Sequence, residues 1–223
     1  MQTDKNLRAL AKELKIPLTT IASEADLNSI ESIARKARDV MTLLDGYLLA
    51  AQTEYGQVGL QLETTGVGSI LYEASLDVKE LAKERGLAVS TSDDSSAAVM
   101  THKRGLKIAL GCLAQLALET DSHKEPSVGN ELCFVAYERR NGKTVAGVLS
   151  GRLSILPQDI KRANVLYGDS HLALSTQASG SGIRLAIAQQ LAYSLGARLM
   201  TLRRKGMQGI GLELIKSEQM QLV

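Results

Sequence analysis

The sequence predicts an α+β protein, in which an N-terminal antiparallel helical hairpin is followed by a mixed sheet covered by helices on one face. Apolar residues recur at 3-4 spacing between residues 7 and 51, and after Gln57 helical segments alternate with short strand-like runs. Turn signals such as Asn141-Gly142 separate the later strands, as in an α+β sandwich. We expect two domains, the hairpin at 1–56 and the mixed domain at 57–223.

The N-terminal hairpin carries one apolar seam on each helix. Asn28 stands three residues before Glu31, which predicts a capping box for the second helix, and Pro17 predicts a kink in the first. So thin a hairpin cannot bury both seams against itself, so we expect an identical chain to complete a four-helix bundle. The predicted dimer interface consists of Leu7, Leu10, Leu14, Leu18, Ile21, Ile33, Ala37, Val40, Leu44, Tyr47 and Ala51.

The second domain reads as alternating strands and helices. The Asn141-Gly142 turn predicts one hairpin, and a turn at Lys205 and Gly206 predicts a second, closing hairpin. The pattern as a whole predicts helices at about 67–85, 99–118 and 183–195, and strands at about 60–63, 87–91, 132–138, 144–149, 198–204 and 209–216.

Composition excludes several classes of function. A formal charge of +2, a basic run of three residues at 203–205 and the absence of Trp argue against nucleic-acid binding. No stretch approaches the roughly 20 apolar residues of a membrane span, so we expect a cytoplasmic chain without membrane contact. Cys112 and Cys133 lie in apolar runs without ligand-like neighbours, which predicts buried free thiols and no metal site.

Four segments carry a resemblance to a known family. Residues 10–21, LAKELKIPLTTI, resemble the phosphoacceptor motif of sensor histidine kinases, a His-Glu followed by Pro-Leu, with the family's proline kink at Pro17. Residues 43–56 look like the second dimerisation helix and its linker. Residues 180–187, GSGIRLAI, are similar to the glycine-rich box of the ATPase domain, and 203–214 resemble its closing hairpin. The resemblance implies a dimerisation and phosphoacceptor hairpin followed by a histidine-kinase-like ATPase domain.

The departures from the family pattern fall at the catalytic positions. Lys12 occupies the place of the phosphorylated histidine and is followed by Glu13, but an exposed lysine with a pKa of about 10.4 has no lone pair to offer near neutral pH. The alignment puts Cys112 and Leu116 on the two metal-binding asparagine positions, where magnesium requires oxygen ligands. Gln115 is one residue away, and this turns it about 100° off the required face.

The adenine box is altered as well. Ser150, Arg152 and Ser154 stand where the family has Asp-x-Gly-x-Gly, so side chains replace glycines that let the backbone approach the nucleotide. Gly180 and Gly182 are either remnants of a phosphate loop or a plain turn before the helix at 183. Arg184, in place of the third glycine, favours the turn, although it can still meet an anion at that helix start.

The resemblance and its departures together predict a homodimeric pseudokinase without cofactors that acts by binding. The family implies a response-regulator receiver domain as partner, and exposed residues around Lys12, Lys15, Thr19 and the lower second helix would form the docking surface. Two alternatives remain open at this point: a divergent active histidine kinase or phosphotransferase, which would need Mg-ATP, and a structural dimerisation module. The residues identify neither the input signal nor the partner.

Overall fold

The computed structural model describes part of the chain: residues 18, 21, 30–54, 60–94, 98–119, 130–151, 153, 157–158, 160 and 182–217. The helices are α1 (Ile30–Glu54), α2 (Val67–Glu84), α3 (Lys103–Glu119) and α4 (Ile183–Ser194). The strands are β1 (Glu63–Gly66), β2 (Ala88–Asp94), β3 (Ala98–Thr101), β4 (Glu131–Glu138), β5 (Thr144–Ser150), β6 (Arg198–Arg204) and β7 (Met207–Leu214).

A mixed five-stranded sheet forms the base of the fold, in the order β2-β4-β5-β7-β6. β2 and β4 run parallel, and the remaining neighbours are antiparallel. β1 and β3 form a separate two-stranded antiparallel sheet, which Lys216 extends through a bridge to Val99. The α+β class with a mixed sheet is therefore confirmed. Within the described ranges, no helix combines the length and apolarity of a bilayer-spanning segment.

Two predicted elements are wrong in position. The helix expected from residue 99 begins only at Lys103, because Ala98–Thr101 is the strand that pairs with β1. The His102 ring marks this boundary, since its Nδ1 accepts the backbone N–H of Gly105 at 3.1 Å. The first strand occupies Glu63–Gly66 rather than 60–63, in register with β3. An apolar run as short as that at 98–101 does not distinguish strand from helix by its own periodicity.

The main core lies between the sheet and the helices. Phe134 of β4 and Leu212 of β7 point into it and are fully buried, together with much of α3. α3 is apolar almost all round, and nearly every residue from Gly105 to Leu118 is buried. A helix of that kind needs cover on every side. The sheet lies beneath it, α2 and α4 lie beside it, and α1 supplies the remaining contact.

The opposite face of the sheet carries a smaller apolar cluster. Val135, Leu149 and Leu202 are buried there together with Cys133 and Val145. The twist of the sheet closes this cluster, because it brings Arg204 at the end of β6 within 2.5 Å of Asp94 at the diagonally opposite end of β2. The Arg204 guanidinium also lies 5.2 Å from the centre of the Tyr137 ring.

Helix α1 has two apolar faces with different surroundings. Val40, Leu43, Tyr47 and Ala50 are buried on the side that packs against α3 and α4. The helices approach closely at Gly46, where an added β-carbon would lie 3.0 Å from the methyl groups Cγ2 of Ile108 and of Ile187. On the other side of α1, Met41 and Leu48 are 65% and 52% exposed.

This arrangement bears on the predicted dimer interface. Val40 and Tyr47 are already buried within the chain, because α1 lies across α3 and α4, so they are not available to a second copy in this arrangement. Ile33, Ala37 and Leu44 are half-buried, Leu18 is exposed and Ile21 is half-buried. Leu7, Leu10, Leu14, the Asn28 cap and the side chain of Ala51 lie outside the described residues. The dimer itself stays a prediction.

Candidate functional site

The predicted nucleotide site lies where α3 meets the start of α4. Gly182 is the residue before α4, in a right-handed helical conformation, and its carbonyl accepts the N–H of Ala186 at 2.9 Å. It therefore forms an ordinary helix start without a side-chain cap. Arg184 follows in the first turn of α4, and α4 packs along α3, which carries Cys112 and Leu116.

The Arg184 guanidinium binds a carboxylate of its own chain, that of Glu119. Its Nε donates to Glu119 Oε1 at 2.8 Å, and its Nη1 donates to the side-chain oxygen Oε1 of Gln115. The amide of Gln115 in turn donates from Nε2 to Asp39 Oδ1 of α1 at 3.2 Å. A continuous polar chain therefore runs from α4 through α3 to α1.

This polar chain is largely shielded from water. The side chain of Gln115 is buried, and those of Arg184 and Glu119 are 14% and 29% exposed. Burial acts to lower the pKa of Arg184, but the Glu119 carboxylate above all, with a smaller effect from Asp39, raises it beyond its ordinary value. The guanidinium is thus a permanent positive charge, and it forms charge-assisted hydrogen bonds with its partners.

The two positions aligned with metal ligands are unsuited to a metal. Cys112 and Leu116 are buried, and burial raises the pKa of the Cys112 thiol to about 11. Neither side chain offers the hard oxygen that magnesium prefers. Gln115 carries an amide oxygen nearby, but that oxygen accepts from Arg184. At these two positions the side chains therefore do not fit as ligands of a magnesium ion.

The other candidate ligand positions do not form a metal site among the described residues either. Among the residues that the structure describes, no group of three or more His, Cys, Asp or Glu side chains is placed to hold a metal ion. Ser150 is buried at the end of β5, where the strand register sets it opposite Leu132 and Gln208. Lys12, Glu13, Pro17, Arg152, Ser154 and Gly180 lie outside the described residues.

The polar chain as a unit could not be predicted from the sequence. Glu119 and Arg184 are 65 residues apart, and Gln115 and Asp39 are 76 apart, so no short-range spacing connects them. One signal was present: Gln115 and Glu119 stand four residues apart in an apolar helix, which places them on one face. The side chain of Gln115 contacts Arg184 and Asp39.

Comparison with known proteins was made on both sequence and structure. No family model matches the chain, and no curated protein matches it by sequence. Solved structures do match. Full-length ShkA in complex with AMPPNP superposes with a TM-score of 0.60 at 14% identity, over 84% of this chain. This chain spans only 38% of the length of ShkA.

Two further histidine kinases extend the comparison. Acinetobacter baumannii histidine kinase AdeS gives a TM-score of 0.59 at 13% identity, with 92% of this chain and 98% of AdeS covered. The mycobacterial sensor histidine kinase MprB gives 0.51 at 15% identity, with 70% of this chain and 97% of MprB covered. At such low identity these matches show the fold, which is that of histidine kinases.

Proposed function

We propose that the chain is a non-catalytic, histidine-kinase-like signalling protein that dimerises through its helical hairpin and acts by binding a receiver-type partner. The observation that carries the first part is the Arg184 guanidinium, held by Glu119 and Gln115 beside the positions aligned with metal ligands. The histidine-kinase fold supports the signalling context, and the remaining parts depend on the surfaces described below.

Three independent requirements argue against nucleotide binding and phosphorylation together. A magnesium site needs oxygen ligands, and Cys112 and Leu116 are a buried thiol and a buried hydrocarbon. A glycine at position 184 would leave open space, whereas the chain places a paired cation there. A phosphoacceptor needs a free lone pair, and Lys12 is protonated at neutral pH. Restoring any one of these leaves the others unmet.

Calorimetry with Mg-ATP and labelling with γ-phosphate test this directly. We expect no binding heat at millimolar nucleotide and no phosphoprotein, and we expect Lys12→His to remain unlabelled for the reason just given. Nucleotide titration in EDTA provides the control for any metal-independent binding. A micromolar, magnesium-dependent ATP site in the unmodified protein would favour a divergent active kinase and overturn the pseudokinase proposal.

The exposed face of α1 supports the dimer. Ala37, Met41, Leu44 and Leu48 follow heptad spacing along the helix. Met41 and Leu48 are exposed, whereas Ala37 and Leu44 are half-buried and Leu44 packs against the core. In a single chain, the large apolar side chains of Met41 and Leu48 are exposed to water. A second hairpin packed against this face would cover them. The apolar residues of its first predicted helix are available to pack against them.

Sedimentation velocity at micromolar concentration tests the dimer. The wild type should sediment as a dimer, and Met41→Asp with Leu48→Asp should sediment as a folded monomer, because a buried unpaired carboxylate is strongly unfavourable. Leu76→Asp is the matched control, since Leu76 is 47% exposed on α2, away from the proposed interface. A monomeric wild type would show that the proposed dimer is wrong.

The receiver-type partner is proposed from the resemblance, with the surface placed around Lys12, Lys15 and Thr19. Affinity capture from the native organism, read by mass spectrometry, should recover a protein with a receiver domain. Lys12→Glu with Lys15→Glu should abolish that recovery, and the same reversal at Lys79 and Lys83, two exposed lysines of α2, should not. Recovery that survives the first pair, or that contains no receiver protein, contradicts the proposal.

A further inference from the structure

Helix α1 is joined to α3 by two polar contacts of contrasting kinds. Asp39 accepts a hydrogen bond from Gln115 Nε2, and Gln115 also binds the Arg184 guanidinium. Asp45, less than two turns further along α1, forms an ion pair with Arg104 at 2.7 Å. Each contact joins an aspartate of α1 to a side chain of α3, so the Asp45 contact is a suitable control for the Asp39 contact.

The surroundings of the two contacts differ sharply. The Arg104 and Asp45 side chains are 65% and 50% exposed, and exposed ion pairs contribute little because water screens them. Gln115 is buried and Arg184 is nearly so, and the Glu119 carboxylate pairs with the guanidinium. A hydrogen bond among shielded, charged groups is stronger, and removal of one partner leaves the others unsatisfied out of water.

The packing around Asp39 makes the contact sensitive to the position of α1. Val40 and Leu43 follow it into the core, and Gly46 lies between Ile108 of α3 and Ile187 of α4 with no room for a β-carbon without displacement. If α1 lifts or shifts, the close contact at Gly46 and the Asp39 hydrogen bond are lost together. The polar chain and the packed face therefore both depend on the same position of α1 against α3 and α4.

We propose that Asp39, Gln115, Arg184 and Glu119 form a latch that holds α1 on α3 and α4. The latch links the hairpin to the sheet domain. Withdrawal of Asp39 leaves the Gln115 amide without this acceptor, and loss of Arg184 leaves Glu119 and Gln115 without their shared donor. A signal that moves α1 would therefore change the hydrogen bonding of Arg184 in the first turn of α4.

Hydrogen–deuterium exchange read by mass spectrometry, on the full chain, tests the latch. We expect Asp39→Ala to raise exchange in residues 37–50 about tenfold, which corresponds to about 1.4 kcal/mol, while β4 and β5 remain protected as in the wild type. Asp45→Ala should change the same segment less than about twofold, as befits an exposed pair. Asp39→Asn keeps an acceptor oxygen but not the charge, and its exchange should fall between the two.

Arg184→Met provides the second arm. It should raise exchange in residues 37–50 as Asp39→Ala does, and the double variant should exceed the larger single effect only slightly, because both act on one latch. If Arg184→Met does not fold, the Asp39 and Asp45 variants decide the question alone. Equal exchange in Asp39→Ala and Asp45→Ala, or simple addition in a folded double variant, would overturn the proposal. Neither result depends on ATP or a receiver partner, so the latch and the proposed function can fail separately.

Discussion

Alanine at Gly147 should destabilise the protein by crowding the outer face of the sheet. An added β-carbon would lie 2.6 Å from Gly211 Cα and 2.6 Å from the carbonyl oxygen of Ile210, both in the adjacent strand β7. It would also lie 2.6 Å from Leu202 Cδ1 of β6. Side-chain rotation relieves only the last of these contacts, so the strands themselves must separate.

The magnitude follows from two opposing effects. Overpacking of a well-filled region costs typically about 1–3 kcal/mol, and two backbone contacts place Gly147→Ala near the upper end. Alanine also restricts the unfolded chain, which offsets about 0.4–1 kcal/mol. We therefore expect a net loss of about 2 kcal/mol in the free energy of unfolding.

Urea denaturation monitored by circular dichroism measures this change, with Gly111→Ala as the control. Gly111 lies within α3 with no atom within 4 Å of an added β-carbon, so alanine there should stabilise the helix by about 0.5–1 kcal/mol. The reasoning is refuted if Gly147→Ala is as stable as the wild type at an unchanged denaturant slope, since β5 and β7 would then have room for a methyl group at this position.

Three further results are expected. Lys143, followed by Arg139, holds the pKa of Glu213 below its ordinary value, so the carboxylate stabilises the fold above the unfolded pKa of about 4.3 and this contribution is lost as the pH falls through the lowered pKa. Thermal unfolding of Glu213→Gln should therefore lie below that of the wild type at pH 7 and converge with it at acidic pH; a gap that persists at low pH contradicts this. Cys112, buried with its pKa raised to about 11, should react with a thiol reagent only after unfolding, as followed by absorbance in native buffer and in urea. Gly142→Ala should cost about 1 kcal/mol in denaturation, because its φ of +75° strains any L residue although the nearest atom to an added β-carbon is 3.9 Å away.

Local patterns predicted most of the second domain. The strands at Glu131–Glu138 and Thr144–Ser150 and the turn between them follow from alternation and the Asn141-Gly142 signal, and the helix at Ile183–Ser194 from its apolar composition. The strand at Ala98–Thr101 was missed because its partner, β1, lies more than 30 residues earlier and its apolar residues run directly into a helix. Pairing over such a distance is a property of tertiary structure that periodicity does not contain.

The site was less accessible to sequence reasoning. The substitution at Arg184 could be seen from the pattern, and so could the lack of metal ligands at Cys112 and Leu116. The partners of Arg184 could not be predicted from the pattern, because Glu119, Gln115 and Asp39 come together only when α1, α3 and α4 pack. The burial of Val40 and Tyr47 within the chain has the same origin: a heptad seam indicates which face is apolar, and not which surface covers it.

The contact between Arg204 and Asp94 also affects how separate copies of the chain meet. The outer strands of the five-stranded sheet carry opposite charges, acidic at Asp93 and Asp94 on β2 and basic at Arg198 and Arg203 on β6. Such edges attract one another, and pairing of β2 in one copy with β6 in the next would add strands without limit, in the manner of a fibre. Because Arg204 forms an ion pair with Asp94 of the same chain, part of that attraction is satisfied internally. The ion pair between Arg204 and Asp94 thus also guards the protein against edge-to-edge aggregation.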